Sequence, residues 1–489
     1  MKLSAETLAD LHPEISRPAY DRSKVTAGIL HVGLGNFHRA HQAIYIDDLL
    51  ARGGSEEWGI LGAGVMPADA QMRDGLKAQD CLYTVLEQDA SGDKGRVIGS
   101  MTDFAPVSPN HEGILRAMAS PSIRIVSLTV TEGGYFVSAE TGGFNPDHPA
   151  IQADIANPGK PGTIFGAIVE GLRARREAGM VPFTVMSCDN VPHNGEVTRA
   201  AVLGIARGQD ASLADWIDDK VAFPNGMVDR ITPATTEARI NHLREAFGLE
   251  DARPVFCEPF RQWVLEDKFT DGRPALEEVG VQFVPDVTPY EHMKIRILNG
   301  GHAMIAYPGA LLGLTYAHDA MAHPLVRGFL EKVETTEVIP IVPPVPDTSL
   351  TAYFELIEER FANPRVEDTL SRLCLDGSNR QPKFIVPSAA DCLKAGRSID
   401  GLALASALWC RYCFGEGEHH EEIPPNDPSW DRLKEASRVA RDNPAAWLQM
   451  SDIYGDVGQS PLFREGFTKA LNALWENGTE ATLQAYLND

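Results

Sequence analysis

The stretch AGILHVGLGNFHRAHQAIYIDDLLARGG, residues 27–54, constrains the fold of this chain more than any other. An apolar run of about Gly28–Val32 reads as a buried strand. Gly33-Leu34-Gly35 makes a tight turn, and Ala40, Ile44, Tyr45 and Leu49 then recur with helical spacing. Strand, glycine turn and helix in that order form the corner of a parallel α/β sheet. There, free N–H groups and the helix dipole favour a bound phosphate, as in dinucleotide sites. The pattern departs from G-x-G-x-x-G at its third position, which is His38. A lone G-x-G therefore leaves a plain α/β turn and a dinucleotide site equally open.

More strands of the same kind follow. Trp58–Met66 (WGILGAGVM) ends just before Asp69, where a carboxylate accepts from an adenosine ribose and repels a 2′-phosphate. That chemistry prefers NAD to NADP, although Arg73 stands nearby and a solvated loop acid is the alternative. Ile123–Thr131 runs into Glu132-Gly133-Gly134-Tyr135, and Phe183–Ser187 runs into Cys188-Asp189-Asn190. Ligands of open α/β sheets gather beyond the carboxyl ends of strands, so Thr131, Glu132 and Asn190 become candidate contacts. Between these strands, Gly162–Gly179 is helical, as parallel pairing requires.

A different signal opens the last two-fifths of the chain, in YEHMKIRILNGGHAM. Thr288 suits a helix N-cap, Pro289 the first helical position, and Glu291 completes a capping box. At about 100° per residue, Lys294, Asn299 and His302 fall near ~0°, ~140° and ~80°, within one half of the helix surface. Gly300 and Gly301 lie among them, each costing ~1 kcal/mol relative to alanine, so a close backbone approach is expected there. If the lysine face is buried, desolvation lowers its pKa toward that of a working general base. A snorkelling lysine beside a hydrogen-bonded asparagine and histidine fits the same pattern.

Charge narrows the partners. The 489 residues carry 68 acidic against 44 basic side chains, a net −24, which argues against nucleic acid or an anionic membrane. No apolar stretch of about 18 residues is present and the N-terminus lacks a signal-peptide core. Seven scattered cysteines suggest no disulfide framework. The expectation is a cytoplasmic protein acting on a small molecule.

GLGNFHRAHQ, SLTVTEGGY, SCDNVPHNG, MVDRITP, KIRILNGGH and DGSNRQPKF occur in this order. With them the chain resembles the polyol-specific long-chain dehydrogenase/reductase family from about Gly28 to the C-terminus. K-x-x-x-x-N-x-x-H is the most specific part. The resemblance implies a metal-independent, NAD-dependent oxidation of a polyol secondary alcohol to a ketose, D-mannitol to D-fructose by the form of DGSNRQPKF. It implies a Rossmann-type domain (1–286, with an irregular lead-in to residue 26), a mainly helical domain (287–489) and an active site between them. A monomer is expected. Lys294 takes the family's general-base position, and Asn190 and Asn299 those of the amides that polarise the reacting oxygen. His302 and Asp229 take those of the substrate-orienting and charge-tuning partners. Gly33, Gly35, Asn36 and Phe37 fall in the cofactor turn, and Arg372, Arg380 and Lys383 are candidates for distal substrate hydroxyls. For Asp229 a salt bridge to Arg230, and for the basic segment an ordinary solvated loop, remain alternatives.

An arginine fork suits polyol oxygens and a sugar-acid carboxylate alike. Fructuronate or tagaturonate reduction and arabinitol or sorbitol oxidation thus stay open. A non-catalytic NAD-binding sensor would need neither Lys294 nor the asparagines. Tyr290-x-x-x-Lys294 and Tyr20-x-x-x-Lys24 mimic the tyrosine–lysine pair of short-chain dehydrogenases, but the serine of that family is missing before Tyr290, and Tyr20 precedes the glycine turn altogether. Cys410-x-x-Cys413 followed by His419-His420 lacks the second close pair that a structural zinc site wants.

Overall fold

The computed structural model describes residues 1–138 and 142–489, the side chain of Glu132 excepted. It divides the chain into two compact units, Met1–Val287 and Thr288–Asp489. The division falls inside the proline-punctuated segment VPDVTP, residues 284–289.

The first unit is built on five parallel strands, β1 (Ala27–Val32), β2 (Gly59–Ala63), β3 (Met101–Phe104), β4 (Ile125–Leu128) and β5 (Thr184–Ser187). Their order across the sheet is β3-β2-β1-β4-β5. β4 and β5 are buried at every position and β1 at all but its first residue, as expected where helices cover both faces of a parallel sheet. One face packs on the helices Ile164–Glu177 and Asn194–Gln209, the other on Gln42–Arg52. Strand order reverses between β1 and β4, the place where such sheets open a crevice for ligands.

Other parts of this unit depart from expectation. Tyr83–Asp89 and Gly92–Ile98 form an antiparallel hairpin that alternation did not signal. Ile15–Ser16, in the lead-in expected to be irregular, pairs with its outer strand. Three further strands come late in this unit. Val255–Cys257 joins the hairpin, while Gln262–Glu266 runs antiparallel to Gly226–Asp229 and parallel to Gln282–Val284.

The second unit is helical among its described elements. Its first helix begins at Thr288 and runs to Leu311, but Lys294–Asn299 is a π-turn inserted between two α-helical segments. This corrects the angular estimate. An i→i+5 ladder brings residue 299 nearly above residue 294, closer than the ~140° of a regular helix. A second π-turn, Glu334–Val338, extends the helix Pro324–Val333. The segment RLCLDGSNRQPK is not a loop but two short helices, Leu370–Leu373 and Gly377–Phe384, joined at Asp376 with φ +60°. Among the described residues no helix is long and apolar enough to cross a membrane.

Candidate active site

The glycine turn follows β1 at the switch point. Gly33 has φ +100°, and a Cβ there would lie 2.0 Å from the Thr129 carbonyl oxygen just past β4. Only glycine fits both the torsion and the contact. Gly35 is exposed, and a Cβ on it would meet nothing within 4 Å, so the backbone lies open to a ligand. The side chains of the next two residues face inward. Asn36 donates to Pro233 O at 3.3 Å and Thr235 Oγ1 at 3.1 Å and accepts from Arg39, while Phe37 stacks on His41. Any contact of these two with a ligand is therefore left to the backbone and the ring edge. Asp69 starts the helix Asp69–Lys77, and its Oδ2 accepts from Met66 N–H at 2.8 Å.

The ends of β4 and β5 are laced together by Asp189, whose role the sequence reading passed over. Its carboxylate accepts from the N–H groups of Val130 (2.9 Å) and Thr131 (3.0 Å) and from the Tyr135 hydroxyl (2.6 Å). This holds Thr131 at φ +68°, a left-handed torsion costly for a β-branched residue, and presents exposed Asn190 one residue further on. The Glu132 side chain lies outside the described structure. Asp229 ends Gly226–Asp229 and is 5 % exposed. Its neighbour Arg230 pairs with Glu87 and donates to the Glu258 and Ala40 carbonyls.

In the second unit, Lys294, 5 % exposed, opens the π-turn and Asn299 closes it. Asn299 Oδ1 and His302 Nε2 are both buried without a hydrogen-bond partner. Two orphaned polar atoms on one helix, beside a buried lysine, make a site short of its ligand. His302 stacks on Phe361, ring centroids 4.1 Å apart at 20°. The same ring explains Gly301, where a Cβ would lie 3.3 Å from Phe361 Cε2 and from Leu330 Cδ1. Gly300 does not share that constraint, its nearest neighbour being the Phe384 carbonyl oxygen at 3.6 Å.

Burial lowers the His302 pKa well below the usual value, and the positive charges of Arg372, Arg360, Arg380 and Lys294 lower it further. The imidazole is neutral. Arg372 is held by a bidentate pair with Asp368, at 2.6 and 2.5 Å, and Arg380 donates to Leu373 O. Lys383 is exposed. Arg360, buried at the end of Leu350–Phe361, was not singled out in the sequence, because only tertiary packing carries its charge to His302. Tyr290 is 1 % exposed and donates to the Pro346 carbonyl. Among the described residues no three His, Cys, Asp or Glu side chains are grouped to hold a metal, and Cys410 and Cys413 are buried.

Residues 27–278 match the mannitol dehydrogenase Rossmann domain and residues 286–475 the mannitol dehydrogenase C-terminal domain. The chain is 58 % identical over 473 residues to a mannitol 2-dehydrogenase of Cereibacter sphaeroides, covering 97 % of this chain and 99 % of the relative. Its fold matches a Pseudomonas fluorescens mannitol 2-dehydrogenase ternary complex with NAD and D-mannitol, with TM-score 0.92, 42 % identity and all of both chains covered. It also matches a substrate-free D-sorbitol dehydrogenase at TM-score 0.89 and 36 % identity, over 98 % of this chain and 100 % of that one. The protein is an oxidoreductase acting on CH–OH groups. It belongs to the mannitol dehydrogenase family.

Proposed function

We propose that this protein oxidises D-mannitol to D-fructose with NAD, and catalyses the reverse reduction, with a lysine rather than a metal managing the proton. The observation that carries the reading is the π-turn. It gathers a buried lysine, an orphaned asparagine oxygen and an orphaned imidazole nitrogen along one stretch of helix. The likeness to a complex of NAD and D-mannitol supports the choice of substrate and cofactor. The first unit fits a dinucleotide, since Gly33 makes the turn, Gly35 leaves its backbone open and Asp69 follows β2 at the position of a ribose acceptor. When bound, NAD accepts the hydride.

Everything else falls to side chains of this chain. Lys294, once it has shed its own proton, takes the hydroxyl proton as the C–H bond breaks. Asn190 and Asn299 donate amide hydrogens to the oxygen as charge develops on it. His302 is held in plane by Phe361 and kept neutral by burial and its cationic neighbours. A neutral imidazole can both donate to and accept from a substrate hydroxyl. Asp229 tunes the field at the lysine. Arg372 and Arg380, whose charges reach His302, bind distal hydroxyls, with Lys383 as the outlying candidate. Thr131 and Glu132 belong to the cofactor side, with Gly33, Gly35, Asn36, Phe37 and Asp69.

A second reading, sorbitol as the working substrate, is favoured by the likeness to a D-sorbitol dehydrogenase. The test is NADH absorbance on adding NAD with mannitol, sorbitol or arabinitol, and NADH with fructose or fructuronate. The largest kcat/KM is expected for the mannitol–fructose pair. A preference for sorbitol, or for fructuronate, would reassign the substrate.

A further inference from the structure

Where dinucleotide turns carry a third glycine so that helix and strand pack closely, this chain carries His38. Its ring is completely buried and lies flat on that of His31 in β1, with centroids 3.4 Å apart and planes 10° off parallel. We infer that the His31–His38 stack is a positioning element for the cofactor turn. His31 fixes the Gly33 carbonyl, and His38 holds His31 in plane, so the turn is ordered before a cofactor arrives. The inference rests on reading this turn as the NAD site.

The Gly33 carbonyl is the contact that selects the His31 tautomer. The Gly33 carbonyl can only accept, so His31 Nε2, 3.1 Å away, carries the proton and donates to it. The Thr129 hydroxyl donates to the same carbonyl and lies 3.0 Å from Nε2. His31 Nδ1 is then an acceptor. The Ser127 hydroxyl reaches it at 2.8 Å, closer than its other acceptor, Gln42 Oε1, at 3.2 Å. A glycine at φ +100° is thereby pinned through its carbonyl by two donors, one on β1 and one just past β4, the strands that flank the switch point.

His38 acts by its face. Neither ring nitrogen makes a hydrogen bond of ordinary length and angle, the Gln42 amide lying beside the ring, and the stack occupies the space that a third glycine would leave between helix and strand. Burial holds His31 at about 3 and His38 well below the usual value. Both rings stay neutral at any pH where the enzyme works, and the tautomer does not change.

The test is fluorescence titration of full-length protein with NADH, with thermal melting to set aside variants that unfold. His31→Phe keeps the stack and removes a donor from Gly33. Its Kd for NADH should rise about 10- to 100-fold, the cost of leaving a buried acceptor short, and the loss should appear in KM for NAD rather than in kcat. Thr129→Val, which removes the other donor, should weaken binding too, and less than additively in the double variant. His38→Phe should bind as the wild type does, and His38→Ala more weakly. Amide exchange at residues 33–37 without cofactor should quicken in His31→Phe. Wild-type affinity in His31→Phe, or equal losses in His38→Phe and His38→Ala, would overturn the inference. Failure of the wild type itself to bind NADH would instead remove the NAD reading beneath it.

Discussion

At the scale of single residues, the informative atoms are those left without partners. Asn299 Oδ1 and His302 Nε2 are buried and unpaired, an arrangement that costs free energy until a ligand supplies the partners. Asp69 makes a sharper claim about the cofactor. One of its oxygens caps Met66 N–H, and in the proposed reading its carboxylate accepts a ribose hydroxyl and repels a 2′-phosphate. Asp69→Ala is therefore expected to narrow the preference for NAD over NADP, read as the ratio of kcat/KM for the two cofactors. An unchanged ratio would make Asp69 a turn residue only. The glycine turn and the K-x-x-x-x-N-x-x-H run were legible in the sequence, because local torsion and spacing dictate them. Asp189 and Arg360 were not. Each acts on residues far along the chain, Asp189 on the loop past β4 and Arg360 on His302, and no local pattern encodes such a contact.

At the scale of elements, the two π-turns were equally hidden. Regular helical spacing predicts an unbroken helix over 288–311, and nothing in KIRILN announces an extra residue per turn. The physical effect is large all the same, since the widened turn lines Asn299 up with Lys294. The second π-turn carries Glu334, which is completely buried with neither carboxylate oxygen hydrogen-bonded. A Cβ on Gly301 would lie 3.6 Å from its Oε1. Burial raises the Glu334 pKa well above the usual value, so the native state holds it protonated while the unfolded chain ionises near ~4.5. Its stabilising contribution is complete below that pH and is lost as pH rises toward the native pKa. Glu334→Gln does not titrate. Its Tm, relative to wild type, is expected to be higher at pH 8 than at pH 5. Parallel Tm curves would mean that Glu334 is hydrated and ionised in the native protein. The hairpin Tyr83–Ile98 was missed for another reason. Its outer strand, GDKGRVI, is polar and glycine-rich and finds its place only by pairing.

At the scale of the molecule, a chain of net charge −24 concentrates Arg360, Arg372, Arg380 and Lys294 on one imidazole. A uniformly negative surface would gain nothing from that arrangement, whereas a polyol rich in lone pairs is suited by it. Two compact units divide the work in the proposed mechanism, the first holding the cofactor and the second the proton. The central claim is that Lys294 is the base. Its most direct test is a single turnover, in which enzyme preloaded with NAD is mixed with D-mannitol and NADH absorbance is followed on the stopped-flow timescale. Lys294→Ala is expected to slow that step by about 10²–10⁴-fold, to bind NADH as the wild type does, and to regain part of the rate with a small added amine. A near wild-type rate in Lys294→Ala would contradict the account.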